Sequence, residues 1–156
     1  MRRRESAAEA APDTAQELSA RALRHLGRRE HSRAELARKL ATHAESPAAL
    51  ERLLDALVAK KQLSDERYAE LRTHQLQRKY GAARIRLELK AKGVAQELVE
   101  RVGREGELER AASILQRKYR ARASSREERA RRTRFLQSRG FSHDTIRKLL
   151  SSDDAD

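Results

Sequence analysis

Residues 79–94 read KYGAARIRLELKAKGV, and this stretch decides the fold of the chain. Ile85 and Leu89 lie four residues apart, which is the spacing of one face of a helix. Gly81 and Gly93 lie at the two ends of this run. Glycine readily ends a helix, so the helix is expected between them. The basic residues of the stretch fall largely on the outward positions: Arg84, Arg86, Lys90 and Lys92.

Leu89 is the middle member of a pattern that recurs three times. Its counterparts are Leu40 and Leu136, which lie 49 and 47 residues away. A small residue follows each leucine four positions later, and apolar residues follow ten and thirteen positions later: Ala44, Leu50 and Leu53; Gly93, Val99 and Val102; Gly140, Ile146 and Leu149. An apolar anchor, a helix-ending residue and a second apolar ridge describe a helix–turn–helix pair. Three copies at a near-constant period predict a tandem helical repeat, in which each unit buries its apolar face against its neighbours.

The pattern divides the chain into five segments. We expect a disordered N-terminal tail over residues 1–16, helical repeats over 17–60, 61–103 and 104–150, and an acidic disordered tail over 151–156. Four serines have the sequence context of helix N-caps: Ser32, Ser46, Ser125 and Ser142. In the second repeat, Tyr68 and Leu71 are expected on the inner face of the first helix.

The composition favours an all-α chain without disulfides. Helix-forming residues dominate, proline occurs only twice and cysteine is absent. No apolar stretch approaches the roughly 20 residues that a membrane span needs. The basic N-terminus lacks the apolar core of a secretory signal. The expected location is therefore the cytoplasm.

The formal charge of +12 indicates an anionic partner. Residues 104–150 hold 14 basic and 6 acidic residues, a net charge of +8. Nucleic acid or a nucleoprotein is the favoured partner, and a solvated, salt-bridged helical surface is the alternative. The candidate contacts are the four basic residues of the central stretch, Arg84, Arg86, Lys90 and Lys92, together with Arg117, Lys118, Arg131, Arg132 and Arg134.

No set of residues points to an enzyme, a cofactor or a metal. The five histidines have no i, i+4 pairing, and the glycine at 81 lacks the spacing of a phosphate-binding loop. Asparagine is absent, so phosphate contact is favoured over base readout. The five aromatic residues are too few, and too often on inner stripes, to predict a base-stacking platform.

Four segments in order resemble the RecX family of bacterial regulators of the RecA recombinase. They are REHSRAELARKL (29–40), QLSDERYAE (62–70), KYGAARIRLELKAKGV (79–94) and FLQSRGFSHDTI (135–146). The third resembles the family's central G-x-x-R-I-x-x-E-L-x-x-K-G stretch and is the most specific. The fourth resembles its closing L-x-x-R-G-F element. Together the segments cover about residues 18–150.

The resemblance implies an elongated, curved array of three three-helix repeats in the helical groove of a RecA filament on DNA. Members of the family restrain the recombinase, ATPase and co-protease activities of RecA without nucleotide or metal of their own. The implied partners are the RecA filament and single- and double-stranded DNA, bound without sequence preference, and we expect a monomer. The alternative is a free-standing, non-specific DNA-binding helical-repeat protein.

Overall fold

The computed structural model describes residues 10–151, and the regular structure of these residues is entirely α-helical. The helices are α1 (Ala15–Arg28), α2 (Arg33–Leu40), α3 (Pro47–Ala59), α4 (Asp65–Leu76), α5 (Ala82–Ala91), α6 (Gln96–Glu100), α7 (Glu107–Lys118), α8 (Arg126–Ser138) and α9 (His143–Ser151). The predicted all-α class is confirmed. The remaining parts of the two predicted tails, 1–9 and 152–156, lie outside the described residues.

The helices form three repeats of three, as predicted, and each repeat has its own apolar core. The first repeat holds α1–α3, the second α4–α6 and the third α7–α9. The three anchors Leu40, Leu89 and Leu136 are each 0% exposed at the centres of these cores. Gly93 and Gly140 end their helices at φ 75° and 83°, in the left-handed region that favours glycine.

The predicted helix starts follow from local capping. The hydroxyl of Ser46 accepts the N–H of Ala49 at 3.1 Å, and Pro47 occupies the first turn, where its missing N–H costs nothing. Ser32, Ser125 and Ser142 cap α2, α8 and α9 in the same way. Each hydroxyl satisfies an amide that the first helical turn leaves without a partner.

Two local predictions were wrong. Helix α1 begins at Ala15, because Thr14 and Glu17 form a capping box, so residues 14–16 belong to the helix and its cap rather than to a tail. Leu71 is 45% exposed, whereas Tyr68 is buried. Helix α4 buries Tyr68, Ala69 and Leu76, and at 3.6 residues per turn Leu71 lies about 120° from the centre of that stripe.

The chain groups into two compact units that divide between Ser64 and Asp65. The first unit is the first repeat, whose core is built almost wholly from leucine. The second unit contains the second and third repeats. No helix within residues 10–151 combines the length and the apolarity that a membrane span requires.

The first repeat contains a buried histidine. His31 is 1% exposed, its Nδ1 lies 3.0 Å from the carbonyl oxygen of Arg29, and the Nζ of Lys39 lies 2.9 Å from its Nε2. His25 packs edge-on against its ring, and Glu35 lies near enough to favour the protonated form. Burial, the largest effect, lowers the pKa of His31 below its usual range. The neutral imidazole therefore belongs to the folded first repeat.

Candidate functional site

A close backbone contact joins the second and third repeats. The N–H of Gly81, just before α5, donates to the carbonyl of Arg139 at 2.8 Å. A Cβ on Gly81 would lie 2.4 Å from the carbonyl oxygen of Gly140, and one on Gly140 would lie 2.4 Å from the Cβ of Arg84. Only glycine fits at both positions, so the start of α5 lies directly against the turn between α8 and α9.

A buried carboxylate reinforces this joint. Glu107, at the start of α7, is 2% exposed. It accepts the hydroxyl of Thr145 at 2.7 Å and the backbone N–H of Ala82 at 3.2 Å, and the hydroxyl of Ser142 lies 3.1 Å away. One side chain therefore ties together the starts of α5, α7 and α9. A buried carboxylate persists only with such partners.

Beside the joint, cations and aromatic rings alternate along the surface of the second unit. The guanidinium groups of Arg84 and Arg139 lie 4.8 Å and 5.4 Å from the ring centre of Tyr80. Arg139 also lies over Phe135 at 5.2 Å, and the Nζ of Lys118 lies 4.0 Å from the same ring. The Phe135 ring meets Tyr119 edge-on, and Arg132 lies over Tyr119 at 4.7 Å. We call this set the cation–aromatic seam: Tyr80, Arg84, Lys118, Tyr119, Arg132, Phe135 and Arg139.

The four basic residues predicted on α5 and at its end have different surroundings. Arg84 is exposed, belongs to the seam and donates to the carbonyl of Ser138 at 3.2 Å. Arg86 is half-buried, and its Nε and Nη2 both donate to the carbonyl of Val102, so it fastens the end of the second repeat. Lys90 is exposed and Lys92 is half-buried. Arg84 and Lys90 therefore offer their charge outward, whereas Arg86 has a structural contact.

The candidates of the third repeat divide in the same way. Arg117, Lys118, Arg131 and Arg134 are exposed, and Arg117 donates to the carbonyl of Arg78 at 3.1 Å. Arg132 is only 6% exposed and donates to the carbonyl of Ala121 at 2.8 Å. Its place inside the repeat contradicts the outward position that the sequence analysis assumed. The contact of its guanidinium with the Tyr119 ring and its hydrogen bond to the loop carbonyl of Ala121 explain why Arg132 is buried rather than exposed.

Four residues of the seam were not among the candidates predicted from the sequence: Tyr80, Tyr119, Phe135 and Arg139. Arg139 stands in the R-G-F element that was noted only for its resemblance, so a sequence signal existed. The ring of Tyr80 is half-buried, packs against the core of the second repeat and lies near two guanidiniums. The contact pairs residues 59 positions apart, which no local pattern predicts.

Each of the three repeats matches a domain of a known protein family. Residues 20–57 match the first three-helix domain of RecX, residues 64–102 the second and residues 105–150 the third. The chain is 46% identical over 136 residues to the regulatory protein RecX of Leptothrix cholodnii, covering 85% of this chain and 87% of that protein. It is also 46% identical over 138 residues to the regulatory protein RecX of Herbaspirillum seropedicae, covering 86% and 90%.

Solved structures show the same fold. The crystal structure of RecX from Lactobacillus salivarius superposes with a TM-score of 0.79 at 20% identity, covering 91% of this chain and 97% of that one. A second RecX crystal structure gives a TM-score of 0.72 at 21% identity, covering 87% and 74%. The three matched domains, the near relatives and the repeat architecture agree: this chain belongs to the RecX family of regulatory proteins, which are not enzymes.

Proposed function

We propose that this protein binds in the groove of a RecA filament on DNA and mainly inhibits the recombinase, ATPase and co-protease activities of RecA. Membership of the RecX family supports the choice of RecA as partner. The observation that carries the proposal is the cation–aromatic seam, in which Arg84 and Lys118 are exposed and Arg139 is half-buried beside the joint between two repeats.

The seam suits a partner that offers carboxylates or phosphates. Arg84, Lys118 and Arg139 each rest on an aromatic ring, which contributes about 0.5–1 kcal/mol at an exposed site. A long side chain that is already restrained loses less entropy when it binds. The remaining hydrogens of these cations can then meet acidic side chains or phosphate oxygens.

The repeats favour a partner that is itself repetitive. Three similar units can each contact a different subunit of a filament. When one repeat has bound, the other two are held at a high effective concentration near the neighbouring subunits. Weak individual sites therefore give tight binding to a filament and little binding to a free subunit. A monomer of this protein is sufficient for such binding.

Non-specific DNA binding is the second candidate, and the net charge of +12 favours it. One comparison separates the two: the affinity of the wild-type protein for bare single-stranded DNA against its affinity for the same DNA coated with its cognate RecA. We expect tighter binding to the coated DNA, together with inhibition of DNA-dependent ATP hydrolysis and strand exchange. If both RecA activities stay unchanged at a stoichiometric excess of this protein, the regulator proposal is wrong.

The contribution of the seam is tested with the double variant Arg84→Glu, Lys118→Glu. We expect the concentration for half-inhibition of RecA to rise by about tenfold or more, which corresponds to about 1.4 kcal/mol of lost binding. Arg126→Glu is the control, because Arg126 is exposed at the other end of α8, about 20 Å along the helix from Arg139. Equal inhibition by the double variant and the control would exclude the seam as the contact surface.

A further inference from the structure

A furrow runs along the outer face of α4 in the second unit, away from the aromatic rings of the seam. It consists of two depressions that share His74 and Gln77. One lies between α4 and α6, and the other, of about 540 Å³, lies between α4 and α7. The second is within the size range of ligand sites. We call the two together the α4 furrow.

The α7 end of the furrow is strongly basic. Arg78, Arg110 and Arg117 line it together with His74, and no carboxylate belongs to its lining. The largely buried side chain of Ile114 provides an apolar floor. Arginine is the side chain best suited to bidentate contact with an oxyanion, because its planar fork matches carboxylate and phosphate geometry.

Arg110 is partly buried at this end of the furrow. Its Nη1 donates to the carbonyl of Glu105, but its Nε and Nη2 are shielded from solvent and have no hydrogen-bond partner within the described part of the chain. The guanidinium of Arg110 adds positive charge to this end of the furrow, and that charge favours an oxyanion bound there.

The α6 end of the furrow has a different character. Ala69, Leu98 and Val102 give it an apolar lining, and beside them lie the carboxylates of Glu66 and Glu70 and the guanidinium of Arg101. Glu66 is bonded to Arg101 at 2.9 Å. Two carboxylates and one guanidinium give this end a net charge of −1, so the furrow changes along its length from apolar and weakly acidic to basic.

This change of charge along the furrow favours a peptide over a uniform polyanion. A uniform polyanion laid along the furrow would bring phosphates against Glu66 and Glu70, which costs energy. A peptide can match both ends, with apolar residues at one and carboxylates at the other. From Glu66 to Gln77 helix α4 rises about 17 Å, the length of about five extended residues.

We propose that the α4 furrow binds an extended segment of a partner protein, with its apolar part against Leu98 and Val102 and its acidic part against Arg78, Arg110 and Arg117. The proposal concerns a surface separate from the aromatic part of the seam and is tested without RecA. The probes are a fluorescein-labelled hexapeptide, Ala-Leu-Ala-Glu-Glu-Glu, and its reversed counterpart. The comparison ligands are the same peptides with glutamine in place of glutamate, and a single-stranded oligonucleotide of twenty thymidines.

Fluorescence anisotropy with the full chain measures each affinity. We expect one of the two acidic peptides to bind more tightly than its glutamine version. Arg78→Glu and Arg117→Glu should each weaken that binding by about tenfold, which is the value of one charge-assisted hydrogen bond. Arg126→Glu makes the same change of charge outside the furrow and should leave the peptide affinity unchanged.

Four outcomes would overturn the proposal. The acidic peptides could fail to bind, or bind equally to all three variants. The furrow variants could lose the oligonucleotide by tenfold without losing the peptide, which would make the furrow a nucleic-acid site. Replacing Asp153, Asp154 and Asp156 by asparagine could raise the peptide affinity tenfold, which would identify the chain's own acidic segment as the occupant.

Discussion

The substitution Gly81→Ala probes the joint between the second and third repeats directly. Gly81 has φ −81°, which alanine adopts without strain, so any cost arises from contact. The new Cβ would lie 2.4, 2.6 and 2.7 Å from backbone atoms of Gly140 and Phe141. Backbone cannot rotate out of the way, so α5 must move away from the turn between α8 and α9.

We expect Gly81→Ala to lower the free energy of unfolding of the second unit by about 2–3 kcal/mol. Overpacking of this kind costs about 1–3 kcal/mol, and alanine is a poorer N-cap than glycine by about 1 kcal/mol. The smaller entropy of the unfolded alanine chain offsets about 0.4–1 kcal/mol. Gly27→Ala is the matched control, because Gly27 lies within α1 and a Cβ there meets nothing within 4 Å. Because alanine has a higher helix propensity than glycine, Gly27→Ala should instead stabilise the first repeat by up to about 1 kcal/mol.

Urea denaturation separates the two effects. The chain has no tryptophan, and its three tyrosines, Tyr68, Tyr80 and Tyr119, all lie in the second unit. Tyrosine fluorescence therefore follows the second unit, while circular dichroism follows both units. Gly81→Ala should lower the fluorescence midpoint and Gly27→Ala should leave it unchanged. A shift below about 0.5 kcal/mol for Gly81→Ala would show that the two glycines are not in contact.

Four further predictions use the same protein. Leu89→Ala should cost about 2–5 kcal/mol in urea denaturation, because it opens a cavity in a fully buried core, and a change within 0.5 kcal/mol would refute the repeat register. Arg132→Ala should lower the fluorescence midpoint by the equivalent of about 1–3 kcal/mol, since the carbonyl of Ala121 loses a charged donor, whereas Arg131→Ala should stay within about 0.5 kcal/mol. The pKa of His31 is lowered in the folded state, so stability is fully present above the unfolded pKa of about 6.5 and falls on acidification below it; His31→Gln should flatten this dependence in denaturation curves at pH 7.5 and 5.5. If about six phosphates are neutralised, titrations of bare DNA should show a roughly thousandfold loss of affinity between 50 and 200 mM salt, and a flat response would contradict phosphate contact.

The parts of the fold that depend on local chemistry were predictable from the sequence. The burial of Leu40, Leu89 and Leu136 was predictable, because the spacing of apolar residues shows which face of a helix packs inward. Ser46 and the other capping serines bond to amides three residues further along the chain. Four consecutive residues are therefore enough to predict such a cap. The early start of α1 also had such a signature, in Thr14 and Glu17, but Thr14 had been assigned to the tail.

The candidate site depended on contacts between distant residues and was predictable only in part. Arg84, Arg117 and Lys118 were selected by charge and are exposed beside the joint. Charge could not separate Arg132 from Arg131, since burial follows from the loop that folds over α8 rather than from the residue type. Glu107 was missed for the same reason, because a carboxylate becomes a structural residue only when its donors come from other helices.

The arginines therefore fall into two groups with different consequences for binding. Arg86 donates from Nε and Nη2 to the carbonyl of Val102, and Arg132 donates from Nη2 to the carbonyl of Ala121. Arg33 holds two carboxylates at 2.7 Å. Their charge adds to the long-range field that attracts DNA, but it makes no short contact with a ligand. At physiological ionic strength that field decays over about 8 Å, whereas close contacts are screened much less. Salt should thus weaken attraction to bare DNA more than it weakens the proposed contacts of Arg84, Lys118 and Arg139 with a RecA filament. Under the proposed function, discrimination between filament and naked DNA should therefore increase as the salt concentration rises, because the non-specific attraction falls first.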